Sequence, residues 1–142
     1  MDILQSAFIF ALLLCTLYAS INGGRTGRAG AFIFIAATIL SAAAATLNPS
    51  WATTSYGLFA VDGGCLVALI ILAMNSSRFW PIWAMGFQTV AVATHMATLW
   101  IPDFVPTSYQ ALLSFWAIPI LWVMVVGTRK DRQYERSKVQ LG

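Results

Sequence analysis

The sequence predicts an all-α integral membrane protein, a bundle of about five transmembrane helices. Three observations carry the prediction. Charged residues make up 9 % of the 142-residue chain and hydrophobic residues 59 %, whereas a soluble domain is roughly a quarter charged. The polar surface is too small to coat a globule of this size in water, so the apolar excess must face lipid. Apolar runs of about the length that crosses hydrocarbon recur along the chain. Finally, the eight Lys and Arg residues fall in only three places.

The runs are Ile3 to Ile21, Ala31 to Leu47, Gly57 to Met74, Trp80 to Trp100 and Tyr109 to Gly127, which gives spans 3–21, 31–47, 57–74, 80–100 and 109–127. A basic tail, 128–142, follows the bundle of residues 1–127. Asn22-Gly23-Gly24 closes the first run and Asn48-Pro49 the second. The connections are short enough to make successive helices antiparallel. The first run is preceded by Asp2 and no basic residue, and no small-x-small site follows it, so it reads as a retained helix rather than a signal peptide. The second is the least apolar, because Ser41 and Ala42 to Ala45 dilute it.

Orientation follows from the basic residues. Arg25 and Arg28 follow the first run, Arg78 the third, and Arg129, Lys130, Arg132, Arg136 and Lys138 the fifth. The opposite side carries Asp2, an uncharged loop from Asn48 to Tyr56, and Asp103. An odd number of crossings puts all positive charge on one side and an even number splits it. The chain is therefore expected to have its N-terminus outside and its C-terminus in the cytoplasm. Trp51 and Trp100 are placed at the outer interface and Trp80 and Trp83 at the inner one, with Arg129, Lys130 and Arg132 touching anionic headgroups. The tail is expected to continue the fifth helix for a few turns along the membrane surface.

Within the spans stand one carboxylate, Asp62, and one imidazole, His95. An ionisable group in hydrocarbon costs at least about 2.5–3.5 kcal/mol, so each needs a partner or a wet cavity. Both lie about five residues from the outer ends of their helices, roughly 7–8 Å down. Gln88, seven residues before His95, shares its face, and Ser114 on the fifth helix sits at the same level. Asp62, His95, Gln88 and Ser114 form the candidate polar centre. Simple interhelical glue, worth about 0.6 kcal/mol per hydrogen bond, or the reach of Asp62 up to the outer interface, accounts for such a pair more readily than proton traffic does.

Other features point less far. One His and one Asp fall short of a zinc site, so no metal is expected. Haem through His95 would need an axial ligand from another chain, because Met96 is its neighbour on the same helix. No cofactor is otherwise implied. Thr38, Ser41, Ala42 and Ala45 form a small-residue stripe suited to internal packing or to a homo-oligomer seam. Pro119 removes one amide from the fifth helix and should kink it at the carbonyl of Phe115. Cys15 and Cys65 lie in apolar runs and read as small buried hydrophobes. The basic residues are scattered rather than gathered on one face, which gives no nucleic-acid surface.

Val61-Asp62-Gly63, Ser77-Arg78-Phe79-Trp80-Pro81-Ile82-Trp83, Gln88 and His95 together resemble small uncharacterised multi-helix bacterial inner-membrane proteins. That resemblance covers about the middle third of the chain and implies a multi-pass protein of the bacterial inner membrane, with no activity attached. No phosphate-cradling loop, Cys-x-x-Cys or nucleophile elbow is present. The expected role is a non-catalytic accessory or assembly subunit of a larger membrane complex, with lipid and other membrane subunits as partners. A transporter or channel component using Asp62 and His95 for protons or a small cation is the alternative, and a lesion-forming lysis protein a third.

Overall fold

The computed structural model describes residues 3–47, 56–100 and 106–140, without the side chains of 4, 5, 47, 98–100, 106–116, 139 and 140. The expectations for Trp51, Trp100, Asp103 and Ser114 rest on positions or side chains outside that set. The described residues form five helices and no strand: α1 (Ile3–Asn22), α2 (Gly24–Leu47), α3 (Tyr56–Met74), α4 (Trp80–Trp100) and α5 (Pro106–Gln140). Two of them, over Gly24–Thr46 and Tyr56–Met74, are long and apolar enough to cross a membrane, and Ser6–Asn22 is a shorter apolar stretch.

Each helix packs on its neighbour in sequence, and α5 returns to α1, so the five close into a ring. The buried positions recur at helical spacing. On α1 they are Leu12, Thr16 and Ala19; on α4, Trp80, Ala84, Gln88, Ala91 and His95; on α5, Ile120, Leu121, Met124 and Thr128. Such stripes at steps of three and four residues are what turn one face inward. The outer faces are apolar as well: Phe10, Leu13 and Leu17 on α1, Phe32 and Ile39 on α2, Val67 and Ile71 on α3 and Ile118 on α5 are all exposed.

The α1–α2 connection is tighter than the sequence suggests. Gly23 alone separates the helices, Gly24 takes φ 58°, and α2 begins there. Arg25 and Arg28, expected in a loop, therefore occupy the first turns of α2. A side chain at Gly24 would be strained in this left-handed conformation. At the same end of the ring, Thr26 and Ser76 share a hydrogen bond of 3.0 Å, and the Arg78 amide donates to Ser76 Oγ at 3.1 Å. Pro81 in the first turn of α4 is fully buried, at a position where its missing amide costs little.

The basic tail is not a separate element. α5 runs on through Pro119 to Gln140, and its extension is tied back to the bundle. Arg78 pairs with Glu135 and, at 3.6 Å, with Asp131; Arg132 donates to Asn22 Oδ1. Burial of Arg78 opposes its charge, but the hydrogen bond to Glu135 and the charge of Asp131 outweigh it and its value rises. For Asp131 the balance differs: burial pushes its carboxyl up and Arg78 only partly pulls it back. The same end of the ring thus gathers the α1–α2 turn, the α3–α4 turn and the basic stretch of α5.

Trp80 corrects an expectation. Rather than anchoring at an interface beside Trp83, its side chain is 2 % exposed. Gly30 of α2 and Gly127 of α5 explain why: a Cβ at either would collide with the Trp80 side chain. Two missing side chains make the slot that the indole fills, joining three helices. Trp83, three residues further along α4, is exposed.

Candidate functional site

Asp62 sits six residues into α3 and His95 five residues from the end of α4. The two helices are neighbours and antiparallel, so both positions lie about 7–9 Å from the same end of the bundle. His95 Nε2 and Asp62 Oδ2 are 2.8 Å apart. Gln88, two turns along the same buried face of α4, donates from Nε2 to Asp62 Oδ1 at 3.1 Å and to the Asp62 carbonyl at 3.3 Å. Both carboxylate oxygens are therefore engaged, one by an amide and one by an imidazole.

Burial divides the trio. His95 is 3 % exposed and Gln88 5 %, while the Asp62 side chain keeps 28 %. Phe59, one turn before Asp62, meets the His95 ring edge-on with centroids 6.3 Å apart and planes at 66°. That aromatic edge covers the imidazole and fixes its plane.

The exposed part of Asp62 opens into a cavity of about 210 Å³ lined by residues of all five helices. Asp62, Gln88 and Cys65 contribute from α3 and α4, Thr38 and Ser41 from α2, and the rest of the wall is apolar, including Leu12 of α1 and Leu121 of α5. The volume accommodates several waters, each needing about 30 Å³ of liquid space and two or more polar partners. Asp62 and Gln88 stand at the wall, and His95 lies behind them, away from the cavity lining.

Sequence reasoning identified Asp62, Gln88 and His95 by rarity and depth, and the three converge. The side chain of Ser114 falls outside the described residues. The small-residue stripe divides: Thr38 and Ser41 line the cavity, whereas Ala42 and Ala45 face outward. Thr38 also donates to the Phe34 carbonyl at 2.8 Å. Sequence reasoning missed the lining roles of Cys65, Thr38 and Ser41. Their shared heptad-like spacing from the ring interior was the available signal: Cys65 is one turn below Asp62, and Thr38 and Ser41 one turn from each other.

Among the described residues no three His, Cys, Asp or Glu side chains converge as a metal site would require. Met96 is partly exposed on the outer face of α4, turned from the buried face that carries His95. No protein-family profile matches the chain, and no curated protein or solved structure is detectably similar to it.

Proposed function

We propose that this chain is a multi-pass membrane protein that handles protons through Asp62 and His95, as a small transporter or channel component. In this reading all five helices cross the bilayer of a bacterial inner membrane, with the N-terminus outside and the α5 extension in the cytoplasm. The observation that carries the proposal is a carboxylate–imidazole pair at the wall of a cavity lined by all five helices.

Three features support the membrane setting. Large apolar side chains are exposed round the ring, far beyond what a monomer in water tolerates. Span 109–127 is about 28 Å long, matching hydrocarbon, and leaves the charged remainder of α5 projecting by about 20 Å. The start of α2, the α3–α4 turn and the tail, which gather at one end, carry every Lys and Arg, the distribution expected of a cytoplasmic side.

The chemistry follows from charge. With the imidazole neutral, Asp62 carries an uncompensated negative charge in a poorly polar setting. A proton taken from cavity water onto His95 or onto the carboxylate makes the pair neutral overall. Gln88 holds Oδ1, so the oxygen facing His95 is fixed at hydrogen-bond distance whichever member carries the proton. Histidine is the side chain suited to gaining and losing a proton near neutral pH. A centre that is neutral when loaded and charged when empty couples proton binding to electrostatic cost.

The test is proton flux into vesicles reconstituted with the wild type and with Asp62→Asn and His95→Gln. Loss of flux in both variants is expected. Unchanged flux in both would leave the accessory-subunit reading, in which the pair is only interhelical glue.

A further inference from the structure

A second concavity lies on the outer surface between α4 and α5, at the basic end of the ring, with a volume of about 400 Å³. One wall is Phe79, just before α4, with Trp83 and Phe87 one and two turns further along that helix. The other wall is Trp122 and Val126 on α5. The floor is Trp80 against Gly127, whose missing Cβ leaves room for the Trp80 side chain. From Phe79 to Phe87 the groove runs about 12 Å.

At the end of this groove stands Lys130, exposed and without an ion pair to any described residue. The acids nearest to it in sequence, Asp131 and Glu135, are both engaged by Arg78 from the other side. A slot with aromatic walls thus ends in an uncompensated cation. Trp83 and Trp122 line it from both sides and are 63 % and 67 % exposed, so the walls flank an open channel rather than meeting each other.

We propose that this groove is a specific site for an anionic phospholipid of the surrounding membrane. One acyl chain lies between Trp83 and Trp122, and the phosphate sits on Lys130. Charge complementarity selects the occupant: the apolar length suits an alkyl chain, and the single cation at the headgroup end suits one phosphodiester. The proposal rests on the membrane-spanning reading but not on proton handling.

The experiment is native mass spectrometry of the full chain in mild detergent, titrated with phosphatidylglycerol or with phosphatidylcholine of matched acyl chains. The wild type should retain phosphatidylglycerol preferentially. Lys130→Gln should weaken phosphatidylglycerol binding about fivefold, the weight of one basic side chain at an anionic surface, and leave phosphatidylcholine unchanged. Trp122→Ala should weaken both lipids, and Lys138→Gln, which sits over the Tyr134 ring further along α5, should change neither. Equal losses from Lys130→Gln and Lys138→Gln would mean diffuse attraction and overturn the site. A dimer that excludes lipid and dissociates in Trp122→Ala would overturn it in favour of a second copy of the chain. Release of the protein from membranes by alkaline carbonate would overturn the membrane reading as well, whereas an integral protein with no lipid preference would overturn this site alone.

Discussion

A double-mutant cycle across Asp62 and His95 gives the sharpest reading of how the polar centre contributes to stability. Asp62→Leu removes the acceptor of both the 2.8 Å contact to His95 and the 3.1 Å bond from Gln88, leaving Gln88 only the Asp62 carbonyl. Interhelical hydrogen bonds contribute about 0.6 kcal/mol each and at most about 1.7, and a polar group stranded in the interior costs about 1–3 more. The single variant should therefore lose about 2–4 kcal/mol. His95→Leu should cost a similar amount, because it strands a carboxylate that is nearly three-quarters buried. Replacing both leaves no ionisable group to strand, so the double variant should lose less than the sum of the singles by about 1–2 kcal/mol. Reversible unfolding in mild detergent or bicelles measures all four proteins. Strict additivity would mean that the two side chains do not meet, and the geometry of the site would have to be abandoned.

Further outcomes follow from other parts of the ring. Gly127→Ala places a methyl group against Trp80 and should cost about 1–3 kcal/mol of overpacking, while Trp80→Ala should cost about 3–5, both read from thermal unfolding. Arg78→Gln removes pairs that are partly exposed, so its cost should be at most about 1 kcal/mol and should shrink further in high salt. Asp131 has its carboxyl raised by burial, and a raised folded value means stability is fully present below the ordinary carboxylate range and is lost as pH rises through the raised one. Asp131→Asn should abolish that part of the pH dependence of unfolding, and an unchanged profile would refute the burial argument.

Much of this arrangement is legible in the chain because its apolar runs are long and its charged residues few and grouped. Runs such as Gly57 to Met74 and the grouping of Arg25, Arg28 and Arg78 at alternate connections suffice to order the helices. Depth counting brought Asp62 to His95, since antiparallel neighbours of known rise leave little choice of level. Rotation about each helix axis is what the sequence conceals. When the outer face is as apolar as the inner one, hydrophobic periodicity no longer says which residues turn inward. Trp80 and Trp83 look alike in sequence, yet only the slot formed by Gly30 and Gly127, far away in the chain, buries the first. The cavity walls at Thr38, Ser41 and Cys65 were hidden for the same reason, as was the docking of the tail, which depends on Asn22 and Arg78 meeting α5 across the end of the ring.

Proton flux into reconstituted vesicles reads directly whether Asp62 and His95 carry protons across a membrane, as proposed. With a pH-sensitive dye inside and a potassium diffusion potential imposed, wild-type protein should acidify the lumen well above the rate of empty vesicles. Asp62→Asn preserves the shape of the centre and one hydrogen bond to Gln88 but cannot carry the negative charge that draws a proton, so it should fall to the empty-vesicle rate while remaining folded. Flux in Asp62→Asn equal to the wild type would mean that Asp62 carries no protons.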